Sequence, residues 1–342
     1  MTTATHFARV VGEATLAAVP LEVILELTQR CNFRCAHCYL PSHRDTDPLP
    51  TPRVLALVEE LAAAGTLFLT LSGGEPLLRP NWREIVRHAR RLGFAVTVLT
   101  NGSLVDEEAA AFLAAERVSV EVSVYATDSA VFDNIVGAAG AAAAVRRALE
   151  AIARHGARLT LKVPVLAANA GSVTAVRALA RDLGADCLTY PTVFARRDGD
   201  PGPMALALAG EALAGHLQAS PDAPRTLPAP APDRDDWPLC AAGTRAATVT
   251  ASGELLPCPL FPQAAGNLRH SSFREVWGGS ALLARLRSLR WRDLATCRGC
   301  PRTSYCGRCP AQALLEGGDG TGPSPSACSF AAALEKARGC CG

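Results

Sequence analysis

Short apolar runs alternate with longer helical patterns from residue 23 to about residue 194. The runs are rich in β-branched residues, whereas the longer stretches repeat apolar residues every three or four positions. The pattern predicts strands at 23–28, 67–72, 95–100, 118–125, 158–165 and 187–194. It predicts helices at 52–64, 81–92, 106–115, 141–155 and 172–183. Strands separated by single helices indicate a parallel sheet built from right-handed βαβ units.

The same pattern leaves the closure of this sheet open. Six strand–helix units either close partway into a barrel or form an open, doubly wound sheet, and periodicity does not distinguish the two. In both architectures ligands bind at the C-terminal ends of the strands. We therefore expect the residues that carry chemistry to lie at that edge.

The pattern changes after residue 194. Residues 196–203 are polar and rich in Pro and Gly, which we interpret as a solvated loop, and a short helix is predicted at 208–218. Residues 220–238 are dense in proline, as is typical of an extended linker. Beyond a boundary near Trp237, a hairpin is predicted at 246–256 and an amphipathic helix at 280–289.

Composition narrows the class of protein. Of 342 residues, 49% are hydrophobic and 19% charged, which is typical of a soluble globular protein and not of a disordered one. A formal charge of +2 gives no indication of nucleic acid or an anionic membrane as partner. No secretory signal and no apolar run of about 18 residues is found, so we expect a cytoplasmic protein. In that reducing compartment its 13 cysteines are expected to be metal ligands and not disulfides.

Three cysteines lie within eight residues directly after the first predicted strand: Cys31, Cys35 and Cys38. Three thiolates so close in sequence converge on one centre, and three ligands without a fourth describe a catalytic site with an open position. The spacing differs from ferredoxin runs, in which four cysteines close the cluster. A zinc site or a set of buried thiols is the alternative.

Further motifs follow at the ends of the next strands. Gly73-Gly74-Glu75-Pro76 follows the second strand, and Thr100-Asn101-Gly102 follows the third. Together with the cysteine motif, this order of motifs over residues 21–194 resembles the radical SAM superfamily. The resemblance implies an α/β fold with a partial (β/α)6 TIM-type barrel. It also implies that the three cysteines hold a [4Fe–4S] cluster. The one iron of the cluster without a cysteine ligand is expected to chelate S-adenosylmethionine.

The resemblance implies roles for other residues. His37 is expected near the adenine, Glu75 and its turn at the methionyl ammonium, and Ser123 at the ribose or carboxylate. Lys162 is expected at the carboxylate, with an exposed strand lysine as the alternative. The cofactor-binding residues implied are His37, Gly73, Gly74, Glu75, Pro76, Asn101, Ser123 and Lys162.

Nine cysteines follow the linker, and the spacing of the seven within residues 240–328 resembles the SPASM domain, a small cysteine-rich α+β domain. The resemblance implies two auxiliary [4Fe–4S] clusters, for three clusters in all. The distal set comprises Cys297, Cys300, Cys306 and Cys328, and the proximal set Cys240, Cys258 and Cys309. Two residues separate Cys306 from Cys309, where the family usually has three. The two CxxC pairs also suit a tetrahedral zinc site, which is the alternative.

The proximal set lacks a fourth cysteine, because residues 233–237 contain none. We therefore expect an open or oxygen-ligated iron that faces the substrate. Among the remaining cysteines, Cys187 is interpreted as a core thiol, with hydrogen-atom donation to a substrate radical as the alternative. Cys340 and Cys341 are interpreted as incidental residues of a C-terminal tail.

The resemblance implies an enzyme that cleaves S-adenosylmethionine reductively and uses the 5′-deoxyadenosyl radical to modify a ribosomally made peptide. The alternatives are sulfatase-maturase-like oxidation, porphyrin side-chain decarboxylation, or a non-catalytic iron–sulfur or zinc protein. Flavodoxin or ferredoxin is expected as electron donor. The first twenty residues are too few for a leader-binding domain, so recognition of a leader is expected to need a separate leader-binding protein or the barrel itself. The domains predicted are 1–20 (extension), 21–196 (core), 197–237 (linker), 238–336 (SPASM) and 337–342 (tail).

Overall fold

A computed structural model describes residues 3–44, 47–221 and 234–339 of the chain. Its strands are β1 (Glu22–Thr28), β2 (Phe68–Gly73), β3 (Ala95–Thr100), β4 (Ser119–Ser123), β5 (Leu159–Pro164), β6 (Asp186–Tyr190), β7 (Ala246–Val249), β8 (Glu254–Leu256) and β9 (Gly266–Asn267). Its helices are α1 (Thr3–Leu16), α2 (Thr51–Ala63), α3 (Trp82–Arg91), α4 (Glu107–Ala115), α5 (Ser129–Val136), α6 (Ala141–His155), α7 (Val173–Asp182), α8 (Gly210–Ala219), α9 (Phe273–Gly279), α10 (Ala281–Ser288), α11 (Pro310–Gly317) and α12 (Pro325–Gly339). No described helix is long and apolar enough to cross a membrane.

The order of the strands decides how the sheet is wound. The sheet runs β6-β5-β4-β3-β2-β1-β7-β8-β9, and the first six strands are parallel neighbours in chain order. A doubly wound sheet would reverse direction after its first strands, whereas β1 to β6 follow one another in a single direction. Because right-handed crossovers in one direction place the helices on one face, the other face becomes the interior of a partial barrel. The predicted α/β fold is thus confirmed.

Alternation along each strand separates the core from the interior of the barrel. On β1, for example, Leu25 and Leu27 are each 1% exposed and belong to the hydrophobic core with the helices, whereas Glu26 between them points the other way. The same alternation on β4 and β5 turns Ser123 and Lys162 toward the interior. Successive strand side chains point to opposite faces, so polar residues collect on the concave side.

The hairpin of β7 and β8 belongs to the same sheet as the barrel strands. β7 pairs in parallel with β1, from Glu22 opposite Ala246 to Leu25 opposite Val249. The hairpin therefore continues the sheet across the boundary predicted near Trp237, and the domain division stays a prediction. This pairing brings the chain after β8, which contains Cys258, to the side of β1.

The predicted barrel helices agree with the structure to within one residue, and most strands to within two. The sixth predicted strand is too long: β6 ends at Tyr190 because Pro191, which has no backbone N–H, follows it. No helix is predicted at α1, α5, α9, α11 or α12. α5 is short, and it begins where the side chain of Asp128 accepts a hydrogen bond from the backbone N–H of Val131 (2.9 Å) and ends at Gly137.

Candidate active site

A cavity of about 350 Å³ lies at the C-terminal ends of the six parallel strands. It brings together residues from every one of these strands or the loop that follows it, as expected for a parallel sheet. Its lining includes the predicted residues Cys31, Cys35, His37, Cys38, Gly73, Gly74, Asn101, Ser123 and Lys162. Tyr125, Tyr190, Thr192, Val193 and Phe194, which the sequence analysis did not single out as site residues, also line it.

The loop that carries the first three cysteines is held by α5. The backbone N–H of Arg34 donates to the carbonyl of Val136 (2.8 Å), and that of Ala36 donates to Ile135 (3.3 Å). The guanidinium of Arg34 also donates to the carbonyl of Cys31 (2.6 Å). A helix that sequence periodicity missed therefore supports the shape of the cysteine loop.

The pKa values of the three thiols of this loop are all raised. Burial is the main cause that raises the pKa of each thiol, and it raises the pKa of Cys35 to about 12. The neighbouring cysteines raise the pKa of Cys35 and Cys38 further. Because thiolates are the metal-binding form, a bound cationic centre is needed to hold them deprotonated here.

Two observations indicate that these residues fit the implied cluster and S-adenosylmethionine. The thiols face a cavity with room for a further ligand, and Nδ1 of His37 is buried without a hydrogen-bond partner. In the described part of the chain, no three His, Cys, Asp or Glu side chains are arranged to hold a single metal ion. Three thiols around an open cavity suit a cluster with one iron left for an exogenous ligand.

The Gly73-Gly74 turn packs directly on the backbone of the cysteine loop. The N–H of Gly74 donates to Thr28 O (2.8 Å), and the N–H of Glu75 donates to Arg30 O (2.8 Å). A Cβ on Gly73 would lie 2.2 Å from Thr28 O, and one on Gly74 would lie 2.3 Å from Arg30 O. Only glycine permits this close approach, which leaves backbone, and not side chains, facing the cavity.

The carboxylate of Glu75 is turned away from the cavity. It is 0% exposed and accepts hydrogen bonds from the hydroxyl of Thr100 (2.8 Å) and the N–H groups of Asn101 (2.7 Å) and Leu77 (3.1 Å). Burial raises the pKa of Glu75 to about 7, although these three donors lower it. In this structure Glu75 therefore joins the end of β2 to the end of β3, and its contact with the methionyl ammonium stays a prediction. Pro76 is buried behind it.

We expect Glu75→Gln to lower the free energy of unfolding by about 1–3 kcal/mol. The amide NH₂ would face a buried N–H or hydroxyl donor, so at least one hydrogen bond is lost without replacement by water. Urea unfolding of the reconstituted protein measures the change, and Glu84→Gln on the exposed face of α3 is the matched control. Equal midpoints for the two variants would contradict this role.

Tyr125 joins the cysteine loop to β4. Its hydroxyl lies 3.3 Å from Nε2 of His37 and 4.0 Å from Sγ of Cys35. Burial lowers the pKa of His37 to about 4, so the ring is neutral at pH 7. The side-chain amide of Asn169 donates to the carbonyl of Tyr125 (3.0 Å) and fixes its position. Strand alternation carried two residues beyond Ser123 would have identified Tyr125.

We expect Tyr125→Phe to lower the midpoint potential of a cluster on these thiols. A hydroxyl near Cys35 stabilises the more negative, reduced state, and losing about 1 kcal/mol corresponds to about 40 mV for one electron. A redox titration followed by electron paramagnetic resonance measures the shift. Tyr190→Phe is the control, since Tyr190 also lines the cavity but lies on β6. Unchanged potentials in both variants would contradict the prediction.

Asn101 and Lys162 lie at the cavity, whereas Cys187 does not. The side-chain amide of Asn101 lies 3.8 Å from Sγ of Cys31. Lys162 lines the cavity and forms an ion pair with Glu121 (2.9 Å), so it is neither a freely exposed lysine nor an unpaired cation. Cys187 packs against the hydrophobic core and does not line the cavity, which supports the core-thiol interpretation over hydrogen-atom donation.

The seven cysteines of the C-terminal region form two groups. Cys240, Cys258 and Cys309 line one small cavity, where burial first and then the other two thiols raise the pKa of Cys258 to about 12. The pKa of Cys306 is raised by burial and by the three remaining thiols: Cys328, Cys297 and Cys300. These groups have the same members as the two sets that the resemblance implies. None of the eleven described cysteines forms a disulfide, and Cys340 and Cys341 lie outside the described residues.

No oxygen ligand for the proximal group is found among the described residues of the small cavity. Its lining, apart from the three thiols, consists of Leu, Ala, Phe and Pro side chains. Asp235 and Asp236, just upstream, form ion pairs with Arg298 and Arg292. Asp233 lies outside the described residues. The expected open iron therefore stays a prediction.

The segment after β6 differs from the solvated loop expected at 196–203. Arg197 is only 9% exposed and forms an ion pair with Glu26 inside the barrel. Its partner lies 171 positions earlier in the chain. A buried arginine in a Pro- and Gly-rich stretch carries no local signal, so sequence reasoning missed it.

Comparison with known proteins agrees with this geometry. Residues 25–166 match the model of the radical SAM superfamily, and residues 240–301 match that of an iron–sulfur cluster-binding domain. The chain is 32% identical over 319 residues to the PqqA peptide cyclase of Xanthomonas campestris pv. campestris, covering 88% of this chain and 84% of the relative. It is 28% identical over 306 residues to the subtilosin biosynthesis protein AlbA of Bacillus subtilis, covering 86% and 68%.

Among solved structures, Streptococcus suis SuiB bound to its precursor peptide SuiA superposes with a TM-score of 0.72. The match covers 95% of this chain and 79% of SuiB at 15% identity, so it shows a shared fold. The identity to the PqqA peptide cyclase over most of both chains establishes the family. The chain belongs to the radical SAM superfamily and carries a SPASM-type iron–sulfur cluster-binding domain in its C-terminal region.

Proposed function

We propose that this enzyme modifies a ribosomally made peptide by a radical reaction that forms a crosslink or a related oxidised product. The observation that carries the proposal is the single cavity that joins three thiols, the Gly73-Gly74 backbone and the unpartnered Nδ1 of His37. Two further groups of thiols in the C-terminal region support an oxidative outcome, because auxiliary clusters accept electrons. The names of the relatives, a peptide cyclase and a bacteriocin biosynthesis protein, support a peptide substrate.

The residues that line the cavity have separate roles in the proposed reaction. Cys31, Cys35 and Cys38 would hold a [4Fe–4S] cluster, which when bound supplies the electron that cleaves S-adenosylmethionine to methionine and the 5′-deoxyadenosyl radical. The neutral ring of His37 would lie against the adenine, and Ser123 and Lys162 offer polar groups to the ribose and carboxylate.

The C-terminal thiols would hold two auxiliary clusters, so that the enzyme carries three in total. Formation of a crosslink removes two hydrogens from the peptide. One would leave as a hydrogen atom to the 5′-deoxyadenosyl radical, which becomes 5′-deoxyadenosine, and the other would leave as a proton. An oxidised auxiliary cluster held by the C-terminal thiols would accept the remaining electron. We propose flavodoxin or ferredoxin as the source of the initiating electron, a separate leader-binding protein as a partner, and the cytoplasm as the compartment.

Anaerobic reconstitution tests this proposal. We expect about twelve irons per chain, since three cubane clusters hold four each. Reduction with S-adenosylmethionine should release 5′-deoxyadenosine, and a precursor peptide encoded beside this protein should lose two hydrogens by mass spectrometry. About four irons with bound zinc would make the C-terminal region structural. A co-purifying tetrapyrrole would favour porphyrin decarboxylation, and no cleavage at all would overturn the enzymatic assignment.

A further inference from the structure

Arg197 is a buried cation that connects three distant parts of the chain. Its guanidinium contacts the carboxylate of Glu26 on β1, with Nη1 3.3 Å from Oε2 and Nη2 bonded to Oε1. Glu26 is 1% exposed, and Arg197 is 9% exposed. A buried ion pair is tolerated only when both partners are well paired and hydrogen-bonded, so this contact is held in one geometry.

The remaining donors of Arg197 reach two cysteine loops. Its backbone N–H donates to the carbonyl of Tyr39 (2.9 Å), and its Nε donates to the carbonyl of Pro259 (2.9 Å). Tyr39 directly follows Cys38, and Pro259 directly follows Cys258. One residue thus binds the carbonyl next to a thiol of the first group and the carbonyl next to a thiol of the proximal group.

The first loop has two further contacts to the same ion pair. The hydroxyl of Tyr39 donates to Oε1 of Glu26 (3.4 Å), and the guanidinium of Arg197 lies 5.5 Å from the centre of the Tyr39 ring. The donors of a guanidinium point in fixed directions within one plane. Because β1 is paired on both sides, by β2 and β7, it provides a rigid reference for both loops.

We propose that Arg197 is a positioning residue that fixes the loops of Cys38 and Cys258 relative to each other. It thereby sets the separation between the radical-generating site and the proximal auxiliary site. The assignment of iron–sulfur clusters to these two sites rests on the proposed function, whereas the coupling of the two loops does not. The alternative is that Arg197 only neutralises Glu26, in which case its loss affects stability alone.

Three variants separate these roles. Arg197→Met removes the guanidinium but leaves Glu26 buried and unpaired. The double variant Arg197→Met/Glu26→Gln removes both charges and so removes that penalty, but it keeps an oxygen acceptor for the hydroxyl of Tyr39. Arg197→Lys keeps the charge but lacks Nε. The matched control is Arg245→Met, which breaks the pair with Glu22 at the exposed start of the same strand.

Amide hydrogen exchange on the anaerobically reconstituted enzyme is the measurement. In Arg197→Met and in the double variant, we expect exchange at residues 38–40, 197 and 258–261 to rise together by about tenfold or more. In Arg197→Lys the rise should be largest at 258–261, where the bond from Nε is lost. The control should match the wild type at both loops, and iron content should be equal in all variants.

The same variants are assayed for 5′-deoxyadenosine released per modified peptide, a ratio expected to rise about tenfold when the two sites are misaligned. Wild-type exchange at either loop in the stable double variant would overturn the proposal, as would equal changes in the Arg245→Met control. Exchange needs no substrate, so this test stands even when no peptide is modified. Failure of the peptide assignment is therefore distinguishable from failure of the positioning role.

Discussion

Cys38→Ala is expected to abolish reductive cleavage of S-adenosylmethionine while about eight of about twelve irons remain bound. Cys38 lines the cavity at the C-terminal ends of the strands with two other thiols, so its loss would leave two protein ligands for the catalytic cluster. Because enzymes accelerate reactions by about a millionfold or more, we expect release of 5′-deoxyadenosine to fall at least about 1000-fold. Iron analysis and chromatography of 5′-deoxyadenosine measure both quantities.

Cys187→Ala is the control for this variant. Cys187 also lies on a barrel strand, but it packs against the core and does not line the cavity. We expect it to retain all the iron and full cleavage. Loss of peptide modification in Cys187→Ala with normal cleavage would restore its role as hydrogen-atom donor. Normal cleavage in Cys38→Ala would show that the first three cysteines do not hold the catalytic cluster.

Cys258→Ala is expected to separate cleavage from peptide modification. Cys258 belongs to the proximal group, and the carbonyl of Pro259 beside it is bonded to Arg197 within the barrel. In the proposed function, loss of this group would remove an electron acceptor near the substrate but leave the first three cysteines intact. We expect 5′-deoxyadenosine to be released at more than about half the wild-type rate while modified peptide falls at least about 100-fold, equivalent to about 2.7 kcal/mol.

Cys306→Ala provides the comparison within the same region, because its thiol belongs to the other group. Each variant should lose about four irons. Loss of zinc from either variant in place of iron would support the structural alternative for that group. Equal loss of cleavage and modification in Cys258→Ala would contradict a separate oxidative role for the proximal group.

Local patterns were sufficient to predict the elements of the barrel. The helix at 141–155 and the strand at 95–100 agree with the structure residue for residue. Their periodicity lies within the segments themselves, and glycines lie close to both ends of each segment. Helices of different lengths were missed: α1 and α12 span 14 and 15 residues, and α5, with eight residues, shows too few turns for a periodic pattern. This omission mattered, since α5 holds the loop of the first three cysteines.

Local sequence patterns could not predict contacts between segments that are distant in the chain. Periodicity shows which side of a strand is buried but not which strand lies beside it, so the pairing of β7 with β1 had no signal. The carboxylate of Glu75 was expected to face the ligand, yet its three donors lie on the turn and on the end of β3. Arg197 looked like a loop residue because its partner Glu26 is 171 positions away.

The sequence by itself determined the strands and helices of the barrel, the three-cysteine loop and the Gly73-Gly74 turn, because each depends on residues close together in the chain. Residue patterns left the winding of the sheet open, and the resemblance implied it together with the division of seven thiols into two groups. The tertiary structure alone decided the pairing of β7 with β1. It also decided the burial of Arg197 between two cysteine loops. These features depend on which strands pair and which charges are buried together. Both join residues that are far apart in the chain, so they are determined only when the whole chain packs.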